Sequence, residues 1–182
     1  MGVNSFYLIS EVTMFLAAQL LGIFSTLAAI LCVQARSARG VLLGQILANG
    51  FSGLSYALLG SFSGAWICFL AAFHSFLVTY RRKQYSSRRK NWIILVSVVF
   101  AAAYLWGAII SYSHWSDIIS TICALLFVLT IAQEDASKMR NVMFFSMSLW
   151  IVFDFSVGAY TNVITHGSTI VSLISAKLRL DQ

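Results

Sequence analysis

Long stretches without any charged residue dominate this chain. The longest runs from Val41 to Tyr80, which is 40 residues with no Asp, Glu, Lys or Arg. As a single helix it would be ~60 Å long, about twice the ~30 Å hydrocarbon core of a bilayer, so it must fold back on itself. Only 10% of the residues are charged and 59% are hydrophobic, whereas a soluble domain carries about 25% charged residues. The sequence therefore predicts an integral membrane protein.

Two glycine-containing clusters mark where the longest apolar runs turn. Gly60 to Gly64 lies near the middle of the first run, and Gly158 to Asn162 divides the last one. Trp92 and Tyr112 bracket another run, in the positions where aromatic rings favour a membrane interface. The pattern predicts a single all-α membrane domain over residues 1–182, with seven transmembrane helices at about 12–33, 41–59, 62–80, 92–112, 115–132, 141–157 and 162–178.

The basic residues predict how these helices are oriented. With seven spans, all twelve Lys and Arg residues fall on one side, and basic loops are retained in the cytoplasm. We therefore expect the N-terminus outside and the C-terminus in the cytoplasm. The net charge of +6 follows from this topology and indicates no nucleic-acid partner. The basic groups are Arg36 and Arg39; Arg81, Arg82, Lys83, Arg88, Arg89 and Lys90; Lys138 and Arg140; and Lys177 and Arg179.

The second basic group, Arg81 to Lys90, has two interpretations. It enforces topology, or it also binds an anionic lipid, because four to eight clustered Lys and Arg residues at a cytoplasmic helix end attract acidic headgroups. The sequence leaves both interpretations open.

The spacing of these markers predicts an internal repeat. From Gln34 to Gly60 is 26 residues and from Gln133 to Gly158 is 25, and a basic residue follows each glycine by 21. A single crossing between the two blocks makes them parallel, an arrangement known in secondary transporters. The alternative is that any two three-helix blocks with short hairpins would align this well. The predicted units are a first three-helix repeat at 11–82, a linker helix at 91–112 and a second three-helix repeat at 114–179.

Two segments, Gln19 to Arg82 and Ser120 to Arg179, resemble the bacterial inner-membrane YgjV-type family. The clearer signature is MRNVMFFSMSLWIVFDFSVG at 139–158. That family is described mostly as candidate transporters and is similar to the SWEET, PQ-loop and PnuC-type carriers. The resemblance implies a multi-pass protein of the bacterial inner membrane with a SWEET-like arrangement of three, one and three helices.

The chain departs from the PQ-loop pattern in one respect. PQ-loop proteins carry a Pro-Gln pair in the first helix of each repeat, whereas this chain contains no proline. Gln34 and Gln133 remain without a proline kink. Any hinge is therefore expected at Gly22, Gly50 or Gly53, or at the loops.

A polar stripe in the second span suggests where a ligand would bind. Its members are spaced by four, three and four residues, which places them on one helical face. Polar side chains within a bilayer face the bundle interior or a water-filled cavity. They therefore form part of a pocket or serve helix packing through interhelical hydrogen bonds. The stripe is Gln45, Asn49, Ser52 and Tyr56, and its repeat equivalents are Met143, Met147, Trp150 and Asp154.

Three further side chains complete the candidate substrate-binding set. Asp154 is the lone acidic residue well inside an apolar span, which makes it a candidate for a ligand, cation or proton. It is also only ~6 Å from the outer helix end, so the alternative is a solvated or hydrogen-bonded structural residue. His74 lies in the inner half of span three, opposite Ser172 in the repeat, and is either a pocket residue or a packing residue.

The sequence predicts neither an enzyme nor a cofactor. It has no HExxH, no Gly-rich phosphate loop and no GxSxG elbow. His74, His114 and His166 are expected at different depths without a carboxylate cluster, so no metal site is predicted. The three cysteines lie in apolar segments without ligand spacing and are interpreted as packing residues: Cys32, Cys68 and Cys123.

The leading functional hypothesis is a small-molecule carrier working by alternating access between the repeats. Asn49 and Trp150 are the favoured lining residues, and the expected solute is small and polar or aromatic. The alternative is a membrane-embedded structural or binding subunit that transports nothing. A wide hydrated cavity would favour the carrier, and a dry bundle of interdigitated Met and Leu would favour the subunit. The oligomeric state stays open.

Overall fold

The chain folds into seven α-helices and no strand within the residues that the computed structural model describes, which are 2–60, 62–82, 88–112, 114–156 and 160–180. The number of helices predicted from the sequence is thus confirmed. The helices are α1 (Gly2–Val33), α2 (Ala38–Leu58), α3 (Phe62–Arg82), α4 (Arg88–Ser111), α5 (Ser116–Ala132), α6 (Ala136–Ser156) and α7 (Tyr160–Leu180).

Five helices, α1, α2, α4, α6 and α7, begin earlier than the hydropathy pattern predicts. Helix α1 begins ten residues before Val12, because no proline or glycine cluster interrupts it. Helices α2 and α6 begin at Ala38 and Ala136 rather than at 41 and 141, since each has a polar cap. The Ser37 side chain accepts a hydrogen bond from Gly40 N at 3.1 Å. Asp135 Oδ1 accepts from the backbone of Ser137 at 2.7 Å.

These caps bring basic residues into the first helical turn. Arg39 and Lys138 therefore lie at helix N-termini, where the helix dipole disfavours a positive charge by about 0.3–1 kcal/mol. Placing the same charge at the bilayer centre costs about 2.5–3.5 kcal/mol or more. Because burial in the bilayer is the more costly of the two, the basic groups stay at the membrane boundary even though the residues are helical.

The surface of the bundle is suited to lipid. Large apolar side chains are exposed on all seven helices, including Leu31 on α1, Ile109 on α4 and Phe145 on α6. Among the described residues, three helices are long and apolar enough to cross a membrane, with mean hydropathies of 2.2, 1.3 and 2.5: Glu11–Val33, Ala38–Leu58 and Asn91–Ile110. Gly64–Tyr80 and Ser116–Ala132 are shorter apolar helices. A lipid bilayer is therefore the environment of this chain.

The helices form a closed ring. Each helix packs against the next one along the chain, and α7 closes the ring against α1. Helix α3 also contacts α5, so α4 lies on the outside of the ring at that point. Helix α2 contacts α6 across the centre of the ring. Helices α2, α3, α6 and α7 each contain 21 residues. The two pairs start 98 residues apart, at 38 and 136 and at 62 and 160.

An apolar core closes the ring at the end that carries the basic groups. Leu42, Ile131, Met139 and Met143 are at most 2% exposed and pack into one cluster with Cys32, Val33, Ala38, Val41, Val78, Ile93 and Leu173. We call this cluster the inner core. Burying each large apolar side chain is worth about 1.5–3 kcal/mol against water. Against lipid, close packing supplies the stabilisation instead. Buried polar side chains lie in both halves, with Thr79, Thr130 and Arg140 at this end and Asp154 and Thr165 in the opposite half.

A close contact between α1 and α2 yields a stability prediction. A Cβ added at Gly44 would lie 2.7 Å from Cys32 Cα, whereas one at Gly50 on the same helix meets nothing within 4 Å. We expect Gly44→Ala to destabilise the protein by about 1–3 kcal/mol, because the two backbones must separate. Gly50→Ala serves as the control and should be neutral or slightly stabilising. Thermal unfolding in detergent, followed by circular dichroism, compares them. Equal midpoints would contradict the close packing.

Candidate functional site

A small cavity lies between six of the helices in the half of the bundle away from the inner core. Helices α2 to α7 all contribute to its lining. Its volume is about 70 Å³, enough for roughly five water molecules at about 10–15 Å³ each. It is narrower than the wide cavity expected for an open carrier and more polar than a dry bundle.

The polar stripe predicted from the sequence lines this cavity. All four residues of the α2 stripe are present, as are Met147 and Trp150 from the equivalent face of α6. From α7 come Asn162, Thr165 and His166. Cys68 and Cys123, interpreted from the sequence as apolar packing residues, also reach it. The α2 residues in the lining are Gln45, Asn49, Ser52 and Tyr56.

The α2 stripe also makes contacts that hold the helices together, which was the alternative to a pocket predicted from the sequence. Asn49 Nδ2 donates to the carbonyl oxygen and to Oε1 of Gln45, both at 2.9 Å. The Ser52 hydroxyl lies 2.6 Å from that of Ser25 on α1. Gln45 Nε2 lies 4.0 Å from Met143 Sδ on α6. The two interpretations of α2 therefore coexist, because the same face lines the cavity and holds the neighbouring helices.

Asp154 is fully buried and does not reach outside water. Its side chain is 0% exposed, and its Oδ2 lies 2.7 Å from His166 Nδ1 on α7. The carboxylate is therefore held by a hydrogen bond inside the protein, and a role for Asp154 toward a ligand, a cation or a proton stays a prediction. Asp154 does not itself line the cavity; it lies behind His166, which does.

Sequence reasoning missed the partner of Asp154. The three histidines were expected at different depths and without a carboxylate cluster, yet the structure pairs His166 with Asp154. Asp154 precedes the last residue of α6 by two positions, and His166 follows the first residue of α7 by six. These offsets place the two Cα atoms ~3 Å and ~9 Å from the helix ends at 1.5 Å per residue. Side chains reach across that difference, so counting depth from both ends of the hairpin would have suggested the pair.

Aromatic rings enclose this pair. The Trp150 indole stacks on the His166 ring with centroids 5.8 Å apart and planes 20° from parallel. Phe153 packs edge-on against the other side of Trp150 at 5.3 Å. Nearby, Asn162 Nδ2 donates a hydrogen bond to the Tyr56 hydroxyl, which joins α7 to α2 at the outer end of the cavity. The outer half of the cavity is thus a cluster of carboxylate, imidazole, indole, amide and phenol.

Two predicted site residues lie elsewhere. His74 is buried and stacks on Phe100 of α4, with ring centroids 4.3 Å apart. Its Nε2 lies 3.4 Å from the Ser97 hydroxyl. Ser172 accepts a hydrogen bond from Gln34 Nε2 at 2.7 Å, near the basic end of α7. Neither residue lines the cavity, so the geometry of His74 fits its packing role rather than a pocket role.

Metal ligation has no support among the residues whose side chains the structure describes, because they contain no group of three or more His, Cys, Asp or Glu that could hold an ion. The three cysteines are buried as free thiols. What the cavity offers instead is hydrogen bonding from amides and hydroxyls, the aromatic face of Trp150 and the imidazole of His166, behind which Asp154 is buried.

Apolar helices around a polar interior cavity define a multi-pass α-helical membrane protein. The chain matches the family model Imp-YgjV, described as "Bacterial inner membrane protein", over residues 16–182, and it belongs to that family. The resemblance found in the sequence is thereby confirmed, and the family places the chain in the bacterial inner membrane. No curated protein and no solved structure matches it.

Proposed function

We propose that this protein is a carrier, not an enzyme, that moves a small polar or aromatic solute across the inner membrane by alternating access. The observation that carries this proposal is the cavity between α2 and α6, lined by the α2 stripe on one side and Trp150 on the other. Amides and hydroxyls would hydrogen-bond the solute, and the indole would stack on it.

Matching contacts support two parallel repeats, residues 11–82 and 114–179, as the moving units. Ser25 Oγ donates to the carbonyl oxygen of Ala48 at 2.9 Å. The equivalent bond in the second repeat joins two residues that each lie 98 positions further along the chain. It runs from Cys123 Sγ to the carbonyl oxygen of Ser146, at 3.7 Å. Gln45 and Met143, also 98 residues apart, contact each other. Equivalent residues touch in this way on a two-fold axis, which would run through the cavity as in parallel-repeat transporters of SWEET type.

The packing at each end of the cavity suggests which conformation this is. The inner core separates the cavity from the basic end of the bundle. The Asn162–Tyr56 hydrogen bond crosses its outer end. A volume of about 70 Å³ is well below the 300–1,000 Å³ of drug-sized ligand sites. These features fit a closed intermediate whose two halves must separate to admit solute.

The proposed orientation puts the N-terminus outside and the C-terminus in the cytoplasm, because the basic groups at 34–40, 81–91 and 133–140 then lie inside. Single cysteines at Leu59, which is 46% exposed in the turn after α2, and at Lys90, in a cysteine-free background, should react with an impermeant maleimide from opposite sides of the membrane. Labelling of both from the same side would contradict the topology. The side chains from Arg81 to Lys90 lie outside the described residues, so anionic-lipid binding there stays a prediction.

A non-transporting membrane subunit is the second candidate. The tight inner core, with Met139 and Met143 among its most buried side chains, favours it, because a rigid interior suits a scaffold. Oligomer formation would follow from that role.

Uptake into proteoliposomes separates these two functions. A radiolabelled panel of nucleosides, sugars and amino acids is the probe. We expect the wild type to take up at least one class, and Trp150→Leu or Asn49→Leu to reduce that uptake by about tenfold or more, as expected for loss of stacking or of a buried hydrogen bond worth ~1.5 kcal/mol. The control is Trp106→Leu, because Trp106 is 68% exposed on α4. Unchanged uptake in both cavity variants would contradict this site.

A further inference from the structure

The Asp154–His166 pair brings together two groups that can carry charge in the outer half of the bundle interior. Within the described part of the chain, every Lys and Arg lies toward the end of its helix that carries the inner core. The interior between them is apolar or neutral and polar. A lone carboxylate there is costly unless it is paired. The pairing with His166 therefore raises the question of which chemical role the carboxylate and the imidazole share.

The geometry is that of a site for one proton. An ionised carboxylate accepts hydrogen bonds and donates none, so in that state of Asp154 the hydrogen between its Oδ2 and His166 Nδ1, 2.7 Å apart, is the imidazole's. The other ring nitrogen, Nε2, has no hydrogen-bond partner among the described residues, and His166 lines the cavity with 17% of its side chain exposed. Water or solute in the cavity can therefore reach Nε2, while Asp154 stays dry.

The surroundings stabilise the protonated ring. The carboxylate lies on one side of the imidazole, and the stacked indole of Trp150 lies over its face. An aromatic face attracts a cation, by about 2 kcal/mol or more in a desolvated setting. Protonation also changes the pair from a net charge of −1 to zero, which removes the cost of an uncompensated buried charge.

Other ionisable groups around the pair supply no positive charge. Tyr56 on α2, Cys68 on α3 and Cys123 on α5 are the ones that interact with Asp154. Helix α4 contributes Tyr104 to the same cavity. Helix α1 faces α7 with uncharged side chains, Gln19 against Thr161 and Thr26 against Thr165. Phenols and thiols can only lose a proton, so His166 is the group that gains one.

We propose that Asp154 and His166 form a proton-binding site and that the carrier couples its solute to protons. This rests on the proposed function and adds the coupling ion to it. A proton from outside water binds Nε2 of neutral His166, giving an imidazolium paired with the Asp154 carboxylate. Loss of that proton to the cytoplasmic side returns the ring to its neutral state. No bond other than N–H forms or breaks, and one proton crosses per cycle.

Trp150 reports the protonation directly, because an imidazolium stacked on an indole quenches its fluorescence. The full chain with Trp66, Trp92, Trp106 and Trp115 replaced by Phe retains this one tryptophan. We expect its emission to fall as the pH is lowered. His166→Gln should abolish the change. Asp154→Asn should show weaker quenching than the parent at the same pH, because the carboxylate no longer favours the cation.

Tyr56→Phe is the matched control, since it removes a hydroxyl near the pair but neither charged group, and it should retain the titration. Size-exclusion elution checks that each variant is folded. Emission that is independent of pH, or a titration that persists in His166→Gln, would overturn the proton site. An Asp154→Asn titration identical to that of the parent would overturn the role of the pair.

Coupling is tested in the proteoliposomes that take up the solute panel. An acid-outside gradient should stimulate wild-type uptake several-fold, and Asp154→Asn should lose this stimulation. Uptake that ignores the gradient would overturn the coupling. If the wild type takes up no solute at all, the proposed function fails, while the Trp150 titration still decides whether the proton site exists.

Discussion

Replacing His166 with Leu is expected to destabilise the folded protein by about 1–3 kcal/mol or more, the usual cost of leaving a buried hydrogen-bonding group unsatisfied. Asp154 is 0% exposed, and no other described side chain bonds its carboxylate. The carboxylate then stays buried without compensation, or the bundle opens to hydrate it. Unfolding by a denaturing detergent in mixed micelles, followed by circular dichroism, measures the loss.

A double-mutant cycle distinguishes a broken pair from a general packing defect. Asp154→Leu combined with His166→Leu removes both partners, and buried pairs replaced in this way are often neutral in stability. We therefore expect the double variant to be more stable than His166→Leu alone, with a coupling energy of about 0.5–3 kcal/mol or more. If the two losses simply add, the hydrogen bond between Asp154 and His166 contributes nothing to folding.

The number of helices could be predicted from the sequence because it depends on local properties of the chain. Bilayer thickness sets how much apolar chain one crossing uses, and basic groups mark every second boundary. The 40-residue run from Val41 to Tyr80 had to contain two helices, whatever their packing. Helix ends were less predictable, because the caps at Ser37 and Asp135 extend α2 and α6 into segments that look like loops.

The site residues on a single helix could be predicted from the sequence, but the contacts between side chains on different helices could not. The α2 stripe follows from helical periodicity alone, and all four residues line the cavity. The partner of Asp154 depends on how α6 and α7 are rotated about their axes, which periodicity on α7 does not specify. His74 illustrates the same limit. Its depth was plausible for a pocket, but α3 turns it toward Phe100 on α4 rather than toward the cavity.

Cross-linking α2 to α6 at the centre of the ring is expected to stop transport completely. Gln45 and Met143 contact each other where α2 faces α6, with Nε2 and Sδ 4.0 Å apart. Cysteines at these two positions, with Cys32, Cys68 and Cys123 replaced by alanine, should be joined by a short thiol cross-linker. Alternating access requires the two repeats to move against each other around the site. A covalent link on the axis prevents that movement, and cleaving a reducible linker should restore uptake.

The chain itself offers the matched control for this experiment. Leu47 and Phe145 lie two residues further along α2 and α6 and are again 98 residues apart, but they point outward with exposures of 57% and 65%. Cysteines there should not be cross-linked, and uptake should be unaffected. Efficient linking at 47 and 145 would mean that equivalent residues do not meet on a central axis. Efficient linking at 45 and 143 with unchanged uptake would still show that the two repeats are in contact there. It would rule out their relative motion as the transport mechanism, because the covalent link prevents that motion.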